Sequence, residues 1–198
     1  MIMQRFVINL DSRPDRLAAF KAVCPFDDVV RWPASIPVLV PDWWRSQPGA
    51  FGCYLSHMKL LQYCILQRYD VVTIFEDDAI PCEDFVARYD AFIAALPDDW
   101  QWVYLGGQHL DCVEVVNKSV RRGTNINRMH AYMLKRSRML SLYEQLRSEI
   151  PWTTSHHIDH YLGALHKHER VYSPATWLFG QAQGVSDVNG YELEKRFF

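Results

Sequence analysis

Residues 71 to 81, VVTIFEDDAIP, constrain the fold more than any other stretch of the chain. Val71, Val72, Thr73, Ile74 and Phe75 are β-branched or aromatic, the composition of a strand covered on both faces. Glu76, Asp77 and Asp78 follow with no polar transition. Two carboxylates about 5 Å apart repel by about 3 kcal/mol at an effective dielectric of about 20. Such a strand end needs a cation, a proton or a positively charged partner beside it.

A strand buried on both faces requires helices above and below, and the flanking segments supply them. Residues 5 to 10, RFVINL, read as a first strand, and Pro14 suits the first turn of a helix through Leu17, Phe20 and Val23. DVVRW at 28 to 32 gives a second strand, followed by the Pro-rich loop PASIPVLVPDWWRSQPG. From Ala50 to Arg68 the positions Phe51, Leu55, Met58, Leu61 and Ile65 recur at helical spacing. After the acidic strand come a helix over about 83 to 96 and a strand at Trp102 to Leu105, ended by Gly106 and Gly107. Hairpin-like strands fill 112 to 135, helices are expected at about 137 to 148 and 157 to 166, and the remainder is strand-like and then loop-rich.

Strands alternating with helices predict an α/β fold with a mostly parallel central sheet flanked by helices, in one domain over 1–198. Ligands in such sheets bind beyond the carboxyl ends of the strands, where both D-S-R-P-D-R and E-D-D lie.

Composition narrows the function classes. A net charge of −2 argues against a surface that grips nucleic acid throughout. The 14% aromatic content, with seven Trp, suits a carbohydrate or nucleotide binder and equally a large aromatic core. Five scattered cysteines without C-x-x-C match neither a disulfide framework nor a thiolate zinc site, and read as reduced residues of a cytoplasmic protein. Asp11, Arg13, Asp15 and Arg16 come too early for a signal-peptide apolar region, and no stretch approaches the roughly 20 apolar residues of a membrane span. The tail EKRFF leaves peripheral membrane contact open.

Three acids at a hydrophobic strand end favour a hard divalent ion with substrate phosphates as its remaining ligands. Alternation places Glu76 and Asp78 on one face to serve that ion, and turns Asp77 away to bind a ribose or brace the loop. A phosphatase that ends a strand in D-x-D fits less well, because Glu76 occupies the nucleophile's place with a longer arm.

The chain resembles glycosyltransferase family 25, related to bacterial lipopolysaccharide galactosyl- and glucosyltransferases. The stretches that carry the resemblance are FVINLDSRPDRL at 6 to 17, RWPAS at 31 to 35, GAFGCYLSHMKLLQ at 49 to 62 and TIFEDDA at 73 to 79. HAYMLKR at 130 to 136, IDHYL at 158 to 162 and QGVSDV at 183 to 188 continue it in the family's order. The resemblance implies a GT-A-type nucleotide-sugar fold, with a D-x-D-like motif and a divalent ion under the donor diphosphate, manganese ahead of magnesium. Glu76 and Asp78 are then the metal ligands. Asn9, Arg13 and Arg16 match the opening block as nucleotide contacts, Asn9 reading a uracil edge and the arginines forking onto phosphate. On a bland reading the arginines pair with Asp11 and Asp15. Ser56 and His57 match the family's S-H pair as donor contacts, and Gln183, Ser186 and Asp187 close over the donor. Asp159 matches an acidic position and is the expected catalytic base for an inverting transfer; His157 and His160 are alternative metal ligands. Gln108 and His109 are placed on the acceptor side, and Trp43 and Trp44 either stack on a sugar or pack under the loop.

These assignments predict a cytoplasmic enzyme that moves galactose or glucose from a UDP-sugar to a saccharide such as a lipopolysaccharide or surface-glycan intermediate. From Val115 to Tyr143 seven Lys or Arg residues occur without an acid, which leaves an anionic acceptor open, and less favourably a hydroxylated base in DNA. A module that binds nucleotide sugars or glycans without turnover is the remaining alternative.

Overall fold

The computed structural model describes residues 2–44, 46–148, 157–188 and 190–197. The chain opens with β1 (Met3–Asn9), α1 (Pro14–Val23) and β2 (Val29–Pro33), the first two elements meeting at the D-S-R-P-D-R loop. After the Pro-rich loop comes α2 (Pro48–Leu66), then β3 (Val71–Glu76), β4 (Ala79–Pro81) and α3 (Phe85–Ala95). The second half holds β5 (Trp102–His109), β6 (Val113–Val115), β7 (Val120–Gly123), β8 (Ile126–Lys135), α4 (Arg136–Arg147) and α5 (Ile158–Leu165). Short strands β9 (Val171–Pro174), β10 (Phe179–Gln181), β11 (Gly184–Val185) and β12 (Glu192–Leu193) complete it.

Eight strands form one sheet in the order β2-β1-β3-β8-β5-β9-β7-β6. The first three are mutually parallel, as are β5 and β9, but β8 runs antiparallel between β3 and β5. The sheet is therefore mixed: β8 and β7 oppose the direction of the other six strands. The reversal has a local cause. The chain reverses at the turn between β6 and β7, which pair antiparallel, and β8 keeps the direction of β7 with no crossover helix to restore the first one.

Strand alternation divides the core into two layers. Phe6, Val72, Ile74, Trp102, Tyr104, Tyr132 and Leu134 face α2, α4 and α5, where they meet Leu60, Leu61, Met139, Leu142 and Leu162. Val7, Val71, Phe75, Val103 and Met133 face the opposite side and meet Phe20 of α1 and Phe85 and Phe92 of α3. Full burial of each such side chain contributes about 1.5–3 kcal/mol. Glu76, two residues beyond Ile74, thus leaves the strand on the α2 side.

The helix expected over Ala50 to Arg68 begins two residues earlier, with Pro48 in its first turn, and ends where Arg68 turns left-handed at φ 60°. The Pro-rich loop lies flat against it. The Ser56 hydroxyl accepts the Ser35 N–H at 2.8 Å and donates to the Gly52 carbonyl at 2.6 Å. A Cβ on Gly52 would sit 2.7 Å from the Ser35 carbonyl oxygen, so only glycine permits that approach. Trp44 is buried against Phe51 and Tyr54, whereas Trp43 remains partly exposed. Among the described residues no helix is long and apolar enough to cross a membrane.

Candidate active site

The acidic turn sits at the floor of a cavity of about 750 Å³, beyond the carboxyl ends of β1 and β3. Its three carboxylates have different neighbours. Asp77 accepts the Asn9 side-chain amide at 2.7 Å and pairs with Arg16 at 2.7 Å. Asp78 accepts from Gln181 at 3.1 Å through Oδ2, with Arg16 at 3.6 Å. Its other oxygen, Oδ1, is buried without a hydrogen-bond partner. Burial, and then the nearby charge of Glu76, push the Asp78 carboxyl up to about 7.

Glu76 is held differently. Burial alone would raise its carboxyl, but the hydrogen bond and charge of His57, with smaller contributions from His130 and Arg16, bring it below the ordinary value. Its Oε1 lies 3.4 Å from His57 Nε2 and 3.7 Å from Cys53 Sγ. His57 is buried, and its Nδ1 lies 2.8 Å from the Tyr132 hydroxyl. Cys53 and His57 share one face of α2 because they are one turn apart.

The first loop and the C-terminal segment meet across the cavity mouth. Arg13 bonds Asp187 at 2.8 Å and Asp15 at 3.1 Å, and both carboxylates raise its already high proton affinity. Arg16 also bonds Asp187, at 2.8 Å. A Cβ on Gly49 would come within 2.7 Å of the Val188 carbonyl oxygen, so the C-terminal segment rests directly on the start of α2. The Ala182 N–H donates to the Asp78 carbonyl at 2.7 Å, and β10 pairs with β4 just beyond the acidic turn.

On the other side, Asp159 stands in the first turn of α5 and lines the cavity. Its Oδ2 accepts the Arg128 backbone N–H at 3.2 Å and its Oδ1 the His160 N–H at 2.9 Å. Arg128 adopts φ 70°, a conformation rare outside glycine, and its N–H is shared between Asp159 and the Asn127 side-chain oxygen, the latter at 2.8 Å. Asn127 and His160 are joined at 3.1 Å through side-chain nitrogens.

Most residues singled out from the sequence line this one cavity: Asn9, Arg13, Arg16, Ser56, His57 and the acidic triplet with Asp159, Gln183, Ser186 and Asp187. Several differ from expectation in what they touch. Both donors of the Asn9 amide go to the Arg13 carbonyl and Asp77, and its oxygen accepts from Arg31, so the group braces the loop where a base contact was expected. The Ser56 hydroxyl is engaged by the Pro-rich loop. Asp187 is a carboxylate pinned by two arginines, hence a repulsive neighbour for a diphosphate. Asp77, expected to turn away, lines the cavity with its neighbours because β3 ends at Glu76 and strand alternation ends with it.

Gln108 and His109 do not reach the cavity. Gln108 pairs with Asn127 in the sheet. His109 stacks on Trp177 at 4.8 Å and contacts Ser173 at 3.1 Å beside a separate cavity of about 290 Å³, and burial lowers its imidazole to about 4. The basic run does not form one surface either. Arg138 is buried against Glu169, Arg136 donates to the Ile65 carbonyl, Lys135 covers Trp100 and Arg128 lines the cavity. Cys53, Gln181 and Asn127 were missed in the sequence; of these only Cys53 left a signal, its four-residue spacing to His57.

Among solved structures of similar outline are a protein of STIV, at 14% identity and TM-score 0.48, covering all of this chain and 96% of that one. A glycosyltransferase involved in glycosylation of the major capsid of PBCV-1 follows at 8% identity and TM-score 0.45, covering 78% and 70%. A Drosophila beta-1,4-galactosyltransferase 7 mutant, solved with manganese, UDP-Gal and xylobiose, gives 12% identity and TM-score 0.40, covering 88% and 66%. A search of curated proteins found no match. The sequence pattern of glycosyltransferase family 25, described as an LPS biosynthesis protein family, matches residues 46–162. That span runs from the loop before α2 through the acidic turn to Asp159 and α5, and by it the chain belongs to glycosyltransferase family 25.

Proposed function

We propose that this chain is a metal-dependent glycosyltransferase of GT-A type. It moves galactose or glucose from a UDP-sugar to a hydroxyl of a saccharide, such as a lipopolysaccharide or surface-glycan intermediate, with inversion at the anomeric carbon. The observation that carries the reading is Asp78 Oδ1, a buried carboxylate oxygen without a hydrogen-bond partner, in a residue that lines the cavity together with Glu76. Orphaned buried oxygens are rare, and two carboxylates with room for phosphate and water suit manganese or magnesium. Glu76 and Asp78 would hold the cation. When bound, it would supply Lewis-acid neutralisation of the charge that develops on the departing nucleoside diphosphate.

The chain's own groups do the rest. Arg13 and Arg16 leave Asp187 to take the diphosphate oxygens, fork against fork. Asn9 and Asp77 keep the first loop and Arg16 in register with the acidic turn. Asp159, oriented by two backbone N–H groups, takes the proton of the acceptor hydroxyl as it attacks from the side opposite the leaving group. The C-terminal segment, seated on Gly49, covers the donor side against water.

Calorimetric titration of UDP with and without manganese tests the donor half. Wild type is expected to bind in the micromolar range only with the metal, and Asp78→Asn to lose that metal-supported binding. Asp159→Asn should bind UDP as wild type does and fail in transfer. Metal-independent binding would remove the assigned role of Asp78, and full transfer by Asp159→Asn would remove that of Asp159.

A further inference from the structure

The cavity floor holds a second constellation, which shares Glu76 with the carboxylate pair and adds Cys53 and His57, two side chains that the reaction above leaves unused. Cys53 Sγ, His57 Nε2 and Glu76 Oε1 lie within 4.8 Å of one another, with Glu76 at 3.7 Å from the sulfur and 3.4 Å from the nitrogen. Neighbouring ligands on a tetrahedral zinc ion, with bonds of about 2.0–2.3 Å, stand about 3.3–3.7 Å apart. Two of the three edges match that spacing before any ion enters. All three residues line the cavity, which leaves its open side for a fourth ligand. The buried Tyr132 hydroxyl, 2.8 Å from His57 Nδ1, fixes the ring with Nε2 toward the cluster, as outer-shell partners of metal-bound histidines do.

We infer that Cys53, His57 and Glu76 form a binding site for a borderline divalent metal of the zinc type, distinct from the carboxylate pair that serves the donor. One thiolate, one imidazole and one carboxylate suit zinc or cobalt, whereas manganese prefers oxygen ligands. Binding releases the Cys53 thiol proton to solvent and displaces the proton that His57 Nε2 shares with Glu76, so that the neutral ring carries its one proton on Nδ1, where the Tyr132 oxygen accepts it. Glu76 belongs to both sites, so zinc there takes a ligand from the donor metal and opposes the manganese-supported reaction. Zinc binding stands on its own geometry; only this opposition rests on the proposed function.

Cobalt(II) is the probe for the binding half, because a thiolate ligand gives it a near-ultraviolet charge-transfer band. The full chain is expected to show that band with one equivalent of cobalt and to lose it on adding zinc. Cys53→Ser should abolish the band and weaken zinc binding at least tenfold, whereas Asp78→Asn should keep both. A wild-type spectrum without the band, or a band unchanged in Cys53→Ser, overturns the site. For the opposition, one equivalent of zinc should suppress manganese-dependent UDP binding in wild type but not in Cys53→Ser. Equal suppression in both overturns the shared role of Glu76. Absence of UDP binding without zinc refutes the proposed function instead, and the cobalt spectrum still decides the site.

Discussion

Replacing Asp78 by Asn should stabilise the metal-free protein, and by an amount that depends on pH. The Asp78 carboxyl is raised from 3.8 to about 7 by burial and by Glu76. Below pH 4 both the folded and the unfolded chain hold its proton, so the group is neutral toward stability. Between pH 4 and 7 the folded state keeps a proton that the unfolded state has released, so each unit of rising pH removes about 1.4 kcal/mol of stability. The loss levels off above pH 7 at about 4 kcal/mol, the full separation of the two values. Asn carries no such charge. Urea denaturation in the presence of a chelator should therefore give nearly equal stabilities at pH 4 and a gap of several kcal/mol in favour of Asp78→Asn at pH 8. Manganese should narrow the gap by stabilising wild type alone. A gap that does not change with pH would show that the carboxylate is not strained, and would refute the argument for its role as an ion ligand.

Other substitutions probe the surroundings. Arg16→Ala removes the guanidinium that faces Asp77, Asp78 and Asp187, and UDP calorimetry should show affinity reduced by about 10- to 100-fold, or about 1.5–3 kcal/mol. Gly49→Ala adds a methyl group 2.7 Å from the Val188 carbonyl oxygen, and should weaken UDP binding while thermal unfolding shows that the protein remains folded. Arg138→Ala leaves Glu169 without its buried partner at 3.2 Å, and should lower stability by about 3–5 kcal/mol in denaturant titration; Glu169→Gln in the same chain should recover part of it.

The elements legible in the sequence were those written in local pattern. VVTIF announces a two-sided strand, and the spacing of Phe51, Leu55, Met58 and Leu61 announces α2. The direction of β8 was not legible, because RMHAYMLK has the same apolar content whichever way it runs; direction follows from the earlier reversal between β6 and β7. The candidate site was legible as a set of residues and much less so as a set of contacts. The acids, the arginines and Asp159 do converge on one cavity. Yet Asn9 and Ser56 turned out to hold loops, since an amide or hydroxyl is equally suited to ligand and backbone and only distance decides. Gln108 and His109 are not among the residues that line the cavity, although Gln108 pairs with Asn127, which does; that one-residue distinction across a strand pair left no mark in the sequence.

The pairing of Asp187 with Arg13 and Arg16 has a consequence for how binding responds to its surroundings. Under the proposed function, Asp187 is an anion of the protein's own that occupies the place a phosphate would take. A diphosphate arriving there exchanges one negative group for another, so few ions are shed to the solvent in the process. Donor affinity should therefore fall only gently as salt is added, more gently than two arginines at an open cavity would suggest, and removing the Asp187 carboxylate should make that slope steeper.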